Sequence, residues 1–95
     1  MNNYTKIDKT KDHIEYLNDK GQRHRLDGPA VIDYYYNGSL MYEEYYQNGL
    51  CYRANNLPNH IYYNKNGNVK LEMWFNGRDQ LHNEYGPAKI VYPQQ

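Results

Sequence analysis

Apolar and polar residues alternate with a period of two in several short stretches of the chain, and this alternation predicts half-buried β-strands. The clearest stretch is 69–75, where Val69, Leu71, Met73 and Phe75 fall on one side. We therefore predict a strand whose core face carries these four side chains. No stretch combines the 3.6-residue period of an amphipathic helix with helix-capping residues.

A second alternating stretch lies earlier in the chain, at 40–46, and presents Leu40, Tyr42, Glu44 and Tyr46 on the corresponding face. Glu44 is the exception, because a carboxylate stands where the later stretch has Met73. Either this face is wetter around Glu44, or Glu44 has a partner that the sequence does not reveal.

Asn-Gly pairs mark the turns between the predicted strands. Asn37-Gly38 and Asn66-Gly67 each precede an alternating stretch. They predict hairpins closed by type I′ turns, which need positive φ at both central residues. Asn48-Gly49 and Asn76-Gly77 predict a second corner of the same kind, and a shorter strand is expected to follow at 50–54.

The chain also aligns with itself at a constant offset, which sets the repeat period. The aligned columns hold the same residue type three times: Pro29, Pro58 and Pro87; Ile32, Ile61 and Ile90; Tyr34, Tyr63 and Tyr92. A fixed period of this length is typical of an array in which each supersecondary unit packs on the next.

The predicted fold is therefore all-β, a meandering antiparallel array of β-hairpins with about three 29-residue repeats. The copies span 16–44, 45–73 and a truncated 74–95, within a single domain at 14–95. Residues 1–13 are polar and outside the repeat phase, so they are interpreted as an N-terminal leader.

The composition favours a thin sheet without a large charged surface. Tyr occurs 13 times, against one Phe and one Trp, and a tyrosine can bury its ring while its hydroxyl stays at a wet edge. The 11 basic and 11 acidic residues give a net charge of zero. This balance argues against binding to duplex DNA or an anionic membrane, and no apolar run is long enough to span a membrane.

The cysteine content indicates a reducing compartment. The single Cys51 excludes an intramolecular disulfide in this small domain, and residues 1–10 lack the apolar region of a secretory signal. We expect a cytoplasmic protein, in the host cytoplasm if a virus or phage encodes it. Arg53 lies on the same side of the predicted strand as Cys51 and could activate the thiol. An inert, small apolar side chain is the favoured interpretation.

The residues that could carry catalysis are too dispersed to form a site. His24 and His82 lie two copies apart, which separates them by several strands at about 4.8 Å each. The segment after His24 has a structural interpretation: Asp27 accepts turn hydrogen bonds, Gly28 supplies a permissive backbone and Pro29 stiffens the strand entry. No phosphate-binding loop, nucleophile elbow or pair of catalytic carboxylates is present. We therefore predict no enzymatic activity, no cofactor and no metal site.

The segment 21–38, which contains His24-Arg25-Leu26-Asp27-Gly28-Pro29-Ala30, and the segment 43–49 that follows it resemble MORN-like repeats. The similarity is to the HR-x-DGPA…YY-x-NG variant found in bacteria, phages and giant viruses, and it covers about 14–92. The second copy is degenerate. The third keeps Gly86-Pro87-Ala88 but has Asn83 in place of the arginine. The resemblance implies a β-hairpin array used for binding, with relatives among antitoxin and immunity components and no catalytic residues to transfer.

The leading functional hypothesis is a protein-binding module that acts as a small inhibitor or antitoxin-like protein and blocks a host protein or a toxin. The candidate contacts are four aromatic side chains expected to point outward, and one residue of an acidic band: Tyr35, Tyr45, Tyr62, Trp74 and Glu43. Tyr46 and Phe75 are expected to point inward. The terminal strands of such an array have free edges, through which a homodimer could form.

The sequence leaves two alternatives open. Aromatic platforms with nearby arginines can stack on bases, so the chain could bind a small ligand, a nucleotide or single-stranded nucleic acid. The basic residues available for that role are Arg23, Arg25, Arg53 and Arg78. The other alternative is a purely structural or self-assembling repeat.

Overall fold

The computed structural model describes residues 4–94; residues 1–3 of the predicted leader and Gln95 of the third copy lie outside the described residues. The described chain is all-β, with one short 3₁₀ turn at Ala54–Asn56 and no α-helix. The strands are β1 (Lys6–Lys9), β2 (His13–Leu17), β3 (Val31–Tyr34), β4 (Leu40–Glu44), β5 (Tyr46–Gln47), β6 (Leu50–Cys51), β7 (His60–Tyr63), β8 (Val69–Met73) and β9 (Lys89–Val91).

Seven of these strands form one antiparallel sheet. Their order in space is β1-β2-β3-β4-β7-β8-β9, so each strand pairs with the next one in sequence except where β5 and β6 intervene. β5 and β6 pair only with each other, as a two-stranded hairpin. The predicted all-β class, with antiparallel strands joined by hairpins, is confirmed.

The two ends of the sheet differ in their connections. At one end, called here the turn end, short turns at 10–12, 35–39 and 64–68 join neighbouring strands. At the other, called here the loop end, the longer connections 18–30, 45–59 and 74–88 lead from β2, β4 and β8 to the following strand of the large sheet. Each long connection begins with a small lateral hairpin: the Leu17–Arg23 bridge, the β5–β6 hairpin, and the Phe75–Leu81 bridge.

The strands recur at a constant spacing, which matches the offset at which the sequence aligns with itself. β3, β7 and β9 begin at Val31, His60 and Lys89. β4 and β8 begin at Leu40 and Val69, with the same separation. The register shifts also correspond, since one follows Asp33 in β3 and the other follows Tyr62 in β7.

The turns form where the sequence predicts them, but the predicted turn type is wrong at three of four positions. In the β3–β4 hairpin only Gly38 has a positive φ, +89°, and its N–H donates to the Tyr35 carbonyl. This is a type I turn followed by a glycine bulge, and Gly67 repeats it at +89°. The corner at Asn76-Gly77 is also a longer loop, with Asp79 at +59°.

Asn48-Gly49 is the one pair with positive φ at both residues, +50° and +81°, as a type I′ turn requires. The loops at the other Asn-Gly pairs can be longer because an asparagine side chain accepts hydrogen bonds from their backbone N–H groups. Asn37 Oδ1 accepts from Ser39 N–H at 2.9 Å, and Asn64 Oδ1 accepts from the N–H groups of Asn66 and Asn68.

The sheet does not have the single core face that the alternation predicts. One face, called here the isoleucine face, carries a row of side chains across the strands: Ile14, Ile32, Glu43, Ile61, Glu72 and Ile90. The opposite face, called here the histidine face, carries the neighbouring row: Glu15, Val31, Glu44, His60, Met73 and Lys89. Val31 is 1% exposed on the histidine face and Ile61 is 7% exposed on the isoleucine face, so apolar burial is divided between both sides.

Two further sequence expectations need correction. The alternating stretch 69–75 does not form one strand, because β8 ends at Met73 and Phe75 pairs separately with Leu81 in the lateral hairpin. The predicted short strand at 50–54 is limited to Leu50–Cys51.

The predicted leader also contributes to the sheet, because Lys6–Lys9 form β1 and pair with β2. Its residues are exposed on both faces. An edge strand held by backbone hydrogen bonds and carrying charged side chains leaves no hydrophobic pattern to detect.

Candidate functional site

The loop end concentrates exposed apolar side chains on one surface. We call this the loop-end surface and define it by seven residues: Leu26, Tyr45, Tyr52, Arg53, Leu57, Trp74 and Tyr85. Four of its members are large apolar side chains with high exposure: Leu26 (58%), Tyr52 (50%), Leu57 (46%) and Tyr85 (80%). Exposed apolar side chains that cluster in this way are typical of recognition surfaces.

Two pockets lie on the loop-end surface, each between successive long connections. The first, about 370 Å³, lies between Leu26-Asp27-Gly28 and the segment containing Tyr45 and Arg53. The second, about 290 Å³, lies between Arg53 and the segment containing Trp74 and Tyr85. Arg53 and Leu57 line both pockets, so the two pockets are neighbours on this surface.

Two arginines stack on aromatic rings at the loop end. The Arg25 guanidinium lies 4.1 Å from the centroid of the Tyr16 ring, and the Arg53 guanidinium lies 4.1 Å from that of Tyr45. Each arginine also donates to a proline carbonyl, Arg25 to Pro29 at 3.2 Å and Arg53 to Pro58 at 3.0 Å. Both arginines therefore serve as internal cation–π partners.

Gly28 has a role that the sequence does not predict. A Cβ at this position would lie 2.9 Å from Arg25 Cζ and 3.1 Å from Arg25 Nε. Its φ is not in the left-handed region, so the glycine provides space for the guanidinium rather than backbone freedom. The carboxylate of Asp27 completes the arrangement by accepting from Arg25 Nε at 3.1 Å.

Trp74 is held in one orientation in the second pocket. Its indole N–H donates to the Asn56 carbonyl at 2.8 Å, and Asn56 in turn donates to the Asn83 side chain at 3.0 Å. A ring fixed in this way loses little conformational freedom on binding. Trp74 thus has the character of a preorganised aromatic anchor.

The structure does not gather the predicted aromatic contacts into one site. Tyr45 and Trp74 lie together on the loop-end surface, whereas Tyr35 is at the turn end, where its hydroxyl donates to the Tyr63 carbonyl at 2.7 Å. Tyr62 lies on the histidine face with its ring 5.3 Å from that of Tyr42.

Glu43, the predicted acidic contact, lies on the isoleucine face, in the sheet between Ile32 and Ile61. It accepts a 2.7 Å hydrogen bond from Tyr63. Burial and this contact raise the pKa of the Tyr63 hydroxyl. Glu43 is therefore engaged within the sheet.

The four candidate arginines all lie in the long connections but do not form one basic surface. Arg23 donates to Glu15 on the histidine face at 2.6 Å, while Arg25 and Arg53 cover rings elsewhere at the loop end. Arg78 lies in the exposed loop of the third lateral hairpin. Three of the four are thus already bound to other groups of the chain.

A polar network on the histidine face was missed by the sequence analysis. Its centre is Glu44, whose carboxylate accepts from the Tyr46 hydroxyl at 3.1 Å and lies 3.8 Å from Arg23 and 3.7 Å from His60. The partner of Glu44 that the sequence leaves open is therefore this group of side chains. They come from separate strands and loops, so sequence spacing carries no signal for them.

The two histidines of the histidine face have opposite electrostatics. Burial lowers the pKa of His60, which is 8% exposed. The pKa of His13 is raised, mainly by its hydrogen bond to Glu15 at 3.1 Å, with a further contribution from Asp33. The Arg23 hydrogen bond lowers the pKa of Glu15. The network consists of charges paired across the sheet, which fits a structural role.

Cys51 is not arranged as a nucleophile. Its thiol is buried and lies 3.5 Å from Asp79 Oδ1. Burial and the nearby carboxylates raise its pKa to about 12. Arg53, the residue that could have activated it, instead covers the Tyr45 ring.

Within residues 4–94, no group of three or more His, Cys, Asp or Glu residues is placed to hold a metal ion. The same part of the chain contains no helix long and apolar enough to span a membrane. Comparisons with protein-family models, with curated proteins and with solved structures find no match to this chain.

Proposed function

We propose that this chain is a non-enzymatic protein-binding module that contacts its partner through the loop-end surface. The observation that carries this proposal is the clustering of four exposed apolar side chains around two neighbouring pockets and a fixed tryptophan. Partly exposed aromatic anchors within an apolar surround are the usual energetic centre of a protein interface.

The proposal includes an array of three MORN-like repeats, the last truncated. The constant spacing of β3, β7 and β9 supports it, as do the three lateral hairpins in equivalent positions. We further propose that the protein acts in the cytoplasm by occlusion, as an inhibitor or antitoxin-like binder. That step is supported by the resemblance of 21–38 to repeats found in antitoxin and immunity components.

The charge distribution supports a protein partner over a nucleic acid. Net charge is zero, and three of the four candidate arginines are bound to groups of the chain. A polyanion would have to displace these contacts to gain its phosphate interactions.

A capture experiment with matched tyrosine variants tests the proposal. Tyr85 on the loop-end surface and Tyr36 at the turn end are both 80% exposed, so replacing either with alanine should not disturb folding. The tagged chain is used to capture candidate partners from cells that encode it. We expect Tyr85→Ala to weaken a stoichiometric complex by at least about tenfold, as loss of an anchor residue does, and Tyr36→Ala to leave it unchanged.

Three other results would contradict the proposal, each in a different way. Equal losses in the two variants, or none, would remove the loop-end surface from the interface. A purified chain that carries a ligand absorbing at 260 nm and captures no protein would favour the nucleotide alternative. A large homo-oligomer without a partner would favour self-assembly.

A further inference from the structure

The third repeat lacks the arginine that covers the aromatic ring in the first two. Tyr16, Tyr45 and Trp74 occupy corresponding positions, each one repeat after the last. Each continues the strand pairing through its backbone N–H, which donates to the carbonyl of Ala30, Asn59 or Ala88 respectively. Arg25 covers the first ring and Arg53 the second. Among residues 4–94, no Lys or Arg side chain lies over Trp74.

The surroundings of Trp74 retain the other features of the first stack. Asn83 stands two repeats after Arg25, and its Nδ2 donates to the Pro87 carbonyl at 2.9 Å, as Arg25 does to Pro29. Gly86 stands two repeats after Gly28. A Cβ on Gly86 would meet only Asn83 Nδ2, at 3.7 Å. The space beside this glycine is therefore less filled in the third repeat than in the first, where three Arg25 atoms occupy it.

A pocket and a carboxylate mark the corresponding position. The pocket of about 290 Å³ is lined by Trp74, Tyr85 and Glu84. In the first repeat Asp27 balances the charge of Arg25 at 3.1 Å, and Glu84 is the carboxylate nearest in sequence to the equivalent position. Within the described chain Glu84 makes no ion pair. Arg53 also lines the pocket, so the formal charges of Arg53 and Glu84 cancel before a ligand enters.

We propose that Trp74 is a receptor site for a guanidinium group, and that the protein partner inserts an arginine side chain there. The inserted arginine would complete the third repeat as Arg25 completes the first, with its plane over the indole and its charge near Glu84. A guanidinium fits better than an ammonium because it is planar and weakly hydrated, and Trp is the strongest aromatic partner for a cation. This inference rests on the proposed protein-binding function.

The single Trp in the chain makes the site directly observable. The probe is the peptide acetyl-Gly-Arg-Gly-amide, titrated at constant ionic strength while Trp74 emission is recorded. We expect a saturable change with a dissociation constant of about 1 mM, which is typical for a ligand of a few contacts. The same peptide with citrulline in place of arginine has the same shape without the charge, and we expect it to bind about 3–10-fold more weakly.

A substitution in the protein provides the second arm. Asn83→Arg places a guanidinium two repeats after Arg25 and should occupy the site from within. We expect its Trp emission to shift in the direction that the arginine peptide produces, and its affinity for that peptide to fall by at least about fivefold. Asn83→Gln alters the same asparagine hydrogen bonds without adding a cation, so the emission shift and the affinity loss that Asn83→Arg shows beyond those of Asn83→Gln measure the inserted guanidinium. Circular dichroism verifies the fold of both variants, and the peptide comparison is decisive even if neither folds.

The outcomes separate this inference from the proposed function. Equal binding of the arginine and citrulline peptides, or none, would overturn the guanidinium site. A captured partner that binds unmodified protein and the Asn83→Arg variant equally would also overturn it, while leaving the protein-binding function intact. Saturable arginine binding without a captured partner would support the site and count against the function. A concentration-dependent emission change without peptide, abolished by Arg78→Ala, would assign the cation to a second copy and overturn a foreign partner.

Discussion

Gly28 and Gly86 occupy the same position in different repeats, and replacing each with alanine tests how the stacked arginine is accommodated. An alanine Cβ at residue 28 would lie 2.9 Å from Arg25 Cζ, whereas at residue 86 the nearest atom is Asn83 Nδ2 at 3.7 Å. Neither glycine has a positive φ. Left-handed backbone strain is therefore absent from both variants, and the difference between them isolates the guanidinium.

The expected loss of stability in Gly28→Ala follows from the contacts that the new Cβ displaces. The clashing atoms are at the end of a flexible side chain, so Arg25 is expected to swing away from Tyr16 and from the Pro29 carbonyl. The lost stack is worth about 0.5–1 kcal/mol and the lost hydrogen bond about 0.5–1.5 kcal/mol. Alanine offsets about 0.4–1 kcal/mol of this loss by restricting the unfolded chain. Gly28→Ala should therefore destabilise the protein by about 1 kcal/mol, and Gly86→Ala should stabilise it by about 0.5 kcal/mol.

Urea denaturation followed by circular dichroism measures both free energies of unfolding. A thermal melt gives the same comparison, since about 1 kcal/mol corresponds to roughly 4–8 °C in a domain of this size. If the two variants have equal stability, or if Gly28→Ala is the more stable, then the missing side chain at Gly28 is not needed to accommodate Arg25. Gly86 would then be no evidence of a guanidinium site beside Trp74.

Three further predictions concern the sheet and its two faces. Tyr63→Phe removes the 2.7 Å hydrogen bond to Glu43 and should cost about 1 kcal/mol in urea denaturation, whereas Tyr36→Phe at the exposed turn end should cost nothing; equal effects would contradict a structural role for Glu43. Because burial lowers the pKa of His60, the contribution of His60 to stability is complete above pH 6.5 and is lost as the pH falls below that value. The pKa of His13 is raised instead. His13 therefore stabilises the fold below pH 6.5, and this contribution is lost as the pH rises through the folded pKa of His13. Between pH 7.5 and 5.5, His60→Gln should therefore lose stability less steeply than the unmodified protein and His13→Gln more steeply, and parallel curves would contradict the assignment. Because the pKa of Cys51 is raised to about 12, iodoacetamide at pH 8 should label the folded protein at least about 100-fold more slowly than the urea-unfolded chain, and comparable rates would show an accessible thiolate.

The sequence was sufficient to predict the strands and hairpins because their signals are local. Alternation in 69–73 and the turn residues around Gly38 and Gly67 act within a few positions. The exact turn type escaped prediction, since it depends on whether Asn37 and Asn64 satisfy the loop backbone through their side chains. β1 escaped because an exposed edge strand is held by backbone hydrogen bonds, which leave no residue pattern.

The candidate site could be predicted only in part. A period-two pattern assigns side chains to the two faces of a sheet but not to its ends. It therefore groups Tyr35 and Tyr62 with Tyr45 and Trp74 as outward-pointing aromatics, although only the last two lie together on the loop-end surface. The environment of Glu44 is assembled from β4, β5, β7 and the connection 18–30. Such a set has no characteristic spacing, and only the three-dimensional arrangement brings it together.

Amide hydrogen exchange, measured on the free chain and on its complex with the captured partner, shows directly whether the partner binds the loop-end surface. We expect added protection at the loop end, in 52–57 and 82–86, with no change at the turn end or at the outer edges of β1 and β9. Protection concentrated in Lys6–Lys9 or Lys89–Val91 would show that the partner adds a strand to the sheet, and would contradict recognition through the loop-end surface.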